Sequence, residues 1–232
     1  PADVKLLLKT FQEVFPHVSV WSTIPGDLVL IGSLEPQQLD YEALVRQLAQ
    51  PAIKQDLDRV ALGNPRVLLE SFRFGPAQVR QVVSDVPWVH EDDQPWVEFN
   101  APKALYVSEA FKVNYHGIEA WKTPVQTIVP HLPQQEPDAA FYLALGGAYR
   151  YRDETKKAIE AFEQAVRLDP GSSEGYTQLG ELYSRRSLPL KAHEVLTRAI
   201  ELDPQRLEAH QALARLFWRQ DRQTEALHSY AR

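Results

Sequence analysis

In the opening segment "DVKLLLKTFQEVFP" the apolar residues Val4, Leu7, Leu8, Phe11, Val14 and Phe15 recur at helical spacing. They predict one amphipathic helix, with Asp3 as its N-cap and Pro16 as its stop. The pattern then changes to two short strand-like runs, "HVSVWSTI" and "DLVLIGSL", joined through "PGD", where proline and glycine favour a turn. The pair predicts an antiparallel hairpin. Leu28 to Ile31 are apolar toward both faces, so both sides of the second strand need cover. From Asp40 to Ser84 the spacing is helical again, in short pieces broken at Pro51, "GNP" and "GP", and no further strand pair is legible. A two-stranded ribbon is marginal in water. The hairpin is therefore expected to need a sheet that the chain does not contain.

Farther along a longer period takes over. The segment "AFYLALGGAYRYRDETKKAIEAFEQAVRLDP" superposes on "EGYTQLGELYSRRSLPLKAHEVLTRAIELDP" at a 34-residue offset without a gap. Tyr142, Leu145, Gly146, Tyr149, Ala158, Phe162, Ala165 and Pro170 recur as Tyr176, Leu179, Gly180, Tyr183, Ala192, Leu196, Ala199 and Pro204. A third copy runs through His210, Leu213, Ala214, Phe217, Ala226 and Tyr230, with Ala in the glycine position and no closing proline. Glycine and alanine let two helices cross closely, the larger residues fill the space between them, and "LDP" ends the second helix of each pair. Spacing and residue type together resemble the tetratricopeptide repeat. Repeats are expected at 139–172, 173–206 and 207–232, the last incomplete, in an array expected to continue. Gly146 and Gly147 fall inside a helix in this frame, not between a strand and a helix, which excludes a phosphate loop.

The resemblance implies a solenoid whose first helices line a concave groove for a peptide or partner helix. It places Leu143, Gly147, Arg150 and Tyr151 in that groove, followed by Glu174, Thr177, Glu181 and Arg185, and then Glu208, Gln211, Arg215, Trp218 and Arg219. The Lys/Asn set that clamps a terminal carboxylate in some members is absent. Arg215, Trp218 and Arg219 suit an acidic or aromatic peptide, and the same residues also suit a solvated helix face.

The order helix, "FPHVSVW", turn, "GDLVLIGS", helical insertion, "DDQPWVEFNAP" resembles the C-terminal half of the spermidine synthase-like domain, over residues 3 to 105. The likeness is to a bacterial group in which that domain is fused to membrane segments or repeats. It implies a methyltransferase-type nucleotide fold whose last antiparallel strands are the hairpin. The donor site for decarboxylated S-adenosylmethionine and the catalytic aspartate would lie upstream of Pro1. Only an acceptor-side wall around Trp21, Ile24 and Pro25 would remain, so no catalytic residue and no cofactor is expected in this chain itself.

The densest acidic stretch, "HEDDQPWVEFNAP" at residues 90 to 102, invites a metal or acid/base reading. His90, Glu91, Asp92 and Asp93 are consecutive, so their side chains diverge, and neither HExxH nor EF-hand spacing accompanies them. General acid/base chemistry needs a complete substrate pocket beside two contrasted carboxylates. A turn at "DDQP" and an extended "WVEF" account for the residues structurally. In an intact parent the acids also favour a cationic polyamine. The remaining histidines are scattered, and no nucleophile elbow occurs.

Charge and composition narrow the partners. Basic and acidic residues balance over 137–232, so the whole net charge of −6 belongs to the earlier part. No basic stripe marks a nucleic-acid binder. No apolar run reaches the ~18 residues a membrane span needs. The absence of cysteine fits a reducing, cytoplasmic setting, and the absence of methionine implies a piece of a longer parent.

The organisation expected is thus mainly α: a partial spermidine synthase-like α/β segment with one antiparallel hairpin at 1–105, a helix and stiff proline-rich connector at 106–136, and the repeats at 137–232. The expected role is a protein-interaction module without turnover. The rivals are a fragment of an active aminopropyltransferase and a purely structural platform.

Overall fold

A computed structural model describes residues 2–23, 27–90 and 116–230. The acidic stretch from Glu91 to Pro102, Ile24 and Pro25 lie outside the described residues. Contacts divide the chain into two compact units, one of residues 1–55 and 65–134, the other of 56–64 and 135–232.

The first unit begins with α1 (Ala2–Val14), which places Asp3 in the first turn and not at the cap. Its core-facing stripe is the buried Leu8 with the partly buried Val4 and Phe11, continued just past the helix by Phe15; Leu6 is also buried, whereas Leu7 and Val14 of the expected face are exposed. β1 (His17–Trp21) and β2 (Val29–Ser33) form the expected antiparallel hairpin, in the register Val18↔Gly32, Ser19↔Ile31, Val20↔Leu30. The helices α2 (Tyr41–Leu48), α3 (Pro51–Arg59) and α4 (Pro65–Leu69) follow, α2 capped by the Asp40 carboxylate accepting from the Glu42 and Ala43 amides.

The chain then supplies a third strand, β3 (Phe72–Phe74), antiparallel on the other side of β1, giving the order β2-β1-β3. This corrects the expectation of a two-stranded ribbon. Three residues between two helices are too few for alternation to be read, yet they convert a marginal hairpin into a sheet with a central strand.

Both faces of β1 are covered. Val18 and Val20 pack with Leu8, Phe74, Ile118 and with Val79 and Val82 of α5 (Pro76–Val82). Trp21 packs on the other side with Leu69, Phe72, Ile128 and Val129, its ring meeting Phe72 edge-on at 5.3 Å. The ladder irregularity at Val20/Trp21 falls between the two clusters. Part of the expected connector is therefore core: Ile128 and Val129 follow a 3₁₀ turn at Val125–Thr127 and are fully buried. The Thr123 amide donates to the Arg73 carbonyl and the Leu39 amide to the Ile128 carbonyl, each at 2.7 Å, which ties this segment to β3 and to the loop before α2.

The second unit carries α6 (Ala139–Tyr151), α7 (Thr155–Leu168), α8 (Ser173–Arg185), α9 (Pro189–Leu202), α10 (Leu207–Trp218) and α11 (Gln223–Tyr230). They pair as helical hairpins at the 34-residue period, in a mainly helical solenoid. A methyl group on Gly146 would come within 2.6 Å of the Phe162 ring, and one on Gly180 would collide with Leu196. Ala158, Ala192 and Ala226 are fully buried on the facing helices. Phe162, Leu179, Leu182, Tyr183, Leu196 and Leu216 form one continuous cluster across the repeats. Burying such a side chain contributes about 1.5–3 kcal/mol.

The turns repeat as closely as the core. Asp153, Ser187 and Asp221, 34 residues apart, all adopt left-handed backbone with φ 57–58°. In each turn the next residue's amide reaches back to a carbonyl of the last helical turn: Glu154 to Tyr149, Leu188 to Tyr183, Arg222 to Phe217. This is the Schellman closure of a helix. At the other end of the repeats, Asp169 and Asp203 accept from the amides of Gly171 and Gln205 at 3.0 and 3.1 Å. The "LDP" segments thus form side-chain-closed turns as well as proline stops.

Candidate peptide-binding face

The first helices of the three repeats, α6, α8 and α10, carry the residues that the repeat frame assigns to a groove. Gly147, Glu181 and Arg215 occupy one register position in successive repeats. The structure links Arg150, Glu181 and Arg215 into a charge row. The Arg150 guanidinium lies 3.4 Å from Glu181 Oε2, and the Arg215 guanidinium lies 2.5 Å from Glu181 Oε1, so one carboxylate from α8 holds an arginine from each neighbouring first helix. Next to this row, Arg185 pairs with Asp153 at 3.2 Å, bridging α8 to the turn after α6. Arg219 Nη1 donates to the Ser184 carbonyl at 3.1 Å and approaches its hydroxyl at 3.5 Å.

Beside these charges Tyr151 and Trp218 are more than half exposed, at 54% and 58%. Gly147 opens a gap: a β-carbon there meets no atom within 4 Å. The face therefore offers fixed guanidinium groups, two exposed aromatic rings and an unfilled position on one side of three adjacent helices. Leu143 and Gln211 are partly buried on the same helices, and Glu174 and Glu208 are exposed in the first turns of α8 and α10.

Two expected site residues lie elsewhere. Thr177 is buried, its hydroxyl donating to the Ser173 carbonyl at 2.8 Å, so it packs α8 and does not face a ligand. Trp21 is also buried, with Nε1 donating to Ser19 Oγ at 2.9 Å, and serves as core instead of a pocket wall. Conversely, sequence reasoning did not single out Ser184 or Asp153, which hold Arg219 and Arg185. The signal existed in the frame: Ser184 stands 34 residues from both Arg150 and Trp218.

Behind the face, Tyr183 ties the first two repeats together by donating its hydroxyl to Glu163 Oε1 at 2.6 Å. Burial, and then the Glu163 carboxylate, push the phenol well above its ordinary range. Lys157 and Lys191 lie over the rings of Tyr149 and Tyr183 at 5.4 and 5.6 Å, again in repeat register. A separate cleft of about 560 Å³ between α9, α10 and α11 is walled by Ile200, Leu213 and Phe217 and gathers none of the expected groove residues. Among the described residues no three His, Asp or Glu side chains are grouped to hold a metal ion. Among them, too, no helix is long and apolar enough to cross a membrane.

Residues 139–182 match the family model described as tetratricopeptide repeat. No curated protein matches the chain. Similar solved structures include MamA residues 41 to the end from Desulfovibrio magneticus RS-1, 20% identical over 84% of this chain and 93% of that one, with a TM-score of 0.41. Another MamA crystal structure is 21% identical over 57% of this chain and 75% of that one, at 0.40. YrrB, described as a TPR protein with an unusual peptide-binding site, is 13% identical over 82% of both chains, at 0.41. None of these comparisons brings in a spermidine synthase-like relative. The family match thus covers residues 139–182, and the helix pairs continue beyond it at the same 34-residue period through Tyr230.

Proposed function

We propose that this chain is a protein-interaction module that holds a peptide segment of a partner protein on the face formed by α6, α8 and α10. The observation that carries the reading is the set of side chains on that face. Core positions of the repeats recur as small or apolar residues, whereas Gly147, Glu181 and Arg215 share one register and differ completely. Packing does not demand this variation. Exposed aromatic rings and arginines are also the residue types that dominate binding energy at protein interfaces.

The test is site-specific photocrosslinking in cells. A benzophenone side chain placed at Gly147 or Trp218 is expected to form discrete protein adducts, and one placed at the exposed Leu190 of α9 is expected to form none. Equal labelling from all three positions, or no adduct from the first two, would remove this face from the account.

A second reading concerns the first unit and rests on the sequence resemblance, with β2 the element it bears on. Val29 and Ile31 are 45% and 47% exposed on a strand that is apolar toward both faces, as suits a strand from a larger covered sheet. That exposure leaves room for further cover on β2; it is the resemblance in sequence order that reads residues 3–105 as the distal part of a spermidine synthase-like domain, with the repeats positioning an aminopropyltransferase parent. The assay is aminopropyl transfer from decarboxylated S-adenosylmethionine to a diamine by the full-length parent; a parent without turnover ends the enzymatic version.

A further inference from the structure

Charge is separated along the α6–α8–α10 face, with Glu174 and Glu208 in the first turns of α8 and α10 and the arginines gathered toward the helix C-termini, and the local surplus there bears on the partner's chemistry. Four guanidinium groups, those of Arg150, Arg185, Arg215 and Arg219, lie toward the C-terminal ends of the three helices. Two carboxylates answer them. Glu181 serves both Arg150 and Arg215, and Asp153 serves Arg185. Among the described residues Arg219 hydrogen-bonds to the uncharged oxygens of Ser184 and forms no ion pair. The C-terminal end of the face therefore keeps two positive charges more than these two carboxylates neutralise, although residues 137–232 as a whole are balanced.

Helix dipoles favour a cation near each C-terminus. That accounts for an arginine in the last turn of each helix and another at each C-cap, Arg152, Arg186 and Arg219, but only in α10 do the two, Arg215 and Arg219, stand one turn apart on the same side. Both are held by contacts to α8, Arg215 by Glu181 and Arg219 by Ser184, so their positions are set before any ligand arrives. A guanidinium has five donors in a planar fork, and one or two contacts leave the others for an incoming carboxylate. Trp218, between the two arginines in sequence and more than half exposed, offers an aromatic surface within the same turn.

We infer that the partner segment is an acidic peptide carrying an aromatic or aliphatic side chain, its carboxylates meeting Arg215 and Arg219 and its apolar group resting on Trp218. This rests on the interaction reading above and adds the ligand's chemistry to it. Glu181 occupies the anion position between Arg150 and Arg215 in the free chain, so a ligand carboxylate competes with it for the same donors.

The probes are a labelled peptide of glutamate and tryptophan, its lysine-for-glutamate counterpart, and a labelled single-stranded oligonucleotide, each titrated into the whole chain by fluorescence anisotropy. The acidic peptide should bind and the lysine peptide should not, with affinity falling as salt rises. Arg215→Ala and Arg219→Ala should each weaken binding about tenfold, as expected for a lost charge-assisted hydrogen bond. Arg219→Lys should recover part of that loss. Glu181→Gln should tighten the acidic peptide, provided its melting curve matches the wild type.

Equal binding of the two peptides, or unchanged binding by both alanine variants, overturns the inference. Preference for the oligonucleotide through the same arginines overturns it in favour of a phosphate-bearing partner. Crosslinks at position 147 without acidic-peptide binding would leave the interaction face standing and remove only its proposed chemistry. Neither signal would remove both.

Discussion

Gly146 and Gly147 are neighbours on α6 with opposite surroundings, and they predict opposite responses to the same substitution. Alanine in place of glycine inside a helix gains about 1 kcal/mol of backbone stability. At Gly147 nothing stands in the way of the methyl, so Gly147→Ala should raise stability by about that amount. At Gly146 the methyl meets the ring of fully buried Phe162, and overpacking of about 1–3 kcal/mol should outweigh the gain, so Gly146→Ala should lower stability. Urea unfolding of the two variants decides the signs, and two shifts in one direction would refute the packing described here. The contrast also shows what single positions disclose. Gly146 was legible as structural because Gly180 repeats it beneath a matching large residue. Gly147 has no such recurrence, and only the family frame placed it on the ligand side.

At the scale of elements, the three left-handed turns carry a testable cost. A non-glycine residue in that conformation pays about 1 kcal/mol relative to glycine, partly offset because glycine makes the unfolded chain more flexible. Ser187→Gly should therefore be neutral or stabilising by up to about 1 kcal/mol, whereas Ser187→Val, with a branched β-carbon, should be destabilising by about 1 kcal/mol or more. Thermal melts of the pair measure the difference, and a valine variant as stable as wild type would contradict the turn geometry. None of these turns contains glycine, so residue type gave no sign of the left-handed backbone. Only the period tied Asp153, Ser187 and Asp221 together. β3 escaped notice for a related reason, since Phe72–Phe74 is shorter than one full alternation. The helix α1 was legible, but its buried face was displaced because three consecutive leucines, Leu6 to Leu8, fit more than one stripe.

Across the whole molecule, each unit encloses its own apolar clusters: Phe74 belongs to the sheet unit and Phe162 to the repeats. Phe74→Ala and Phe162→Ala should each cost about 3–5 kcal/mol and should act on different unfolding transitions. Far-ultraviolet circular dichroism weighted toward the repeats, followed beside near-ultraviolet signals from the sheet unit's tryptophans, separates them; one shared transition displaced equally by both variants would refute separate cores. The repeat period made the second unit readable because it is a long-range regularity in side-chain volume. The first unit has no such regularity, and its core depends on residues such as Ile128, set among prolines, that resemble a linker when read locally. The candidate face was readable as positions but not as a charge row, since Arg150, Glu181 and Arg215 meet only when three helices are stacked. That shared carboxylate has a further consequence for anyone who would treat the repeats as interchangeable bricks. With glycine, glutamate and arginine at one register in successive repeats, shuffling, duplicating or deleting a repeat would strand a guanidinium or set two side by side, so the order of the repeats is encoded in their electrostatics even where their cores would tolerate exchange.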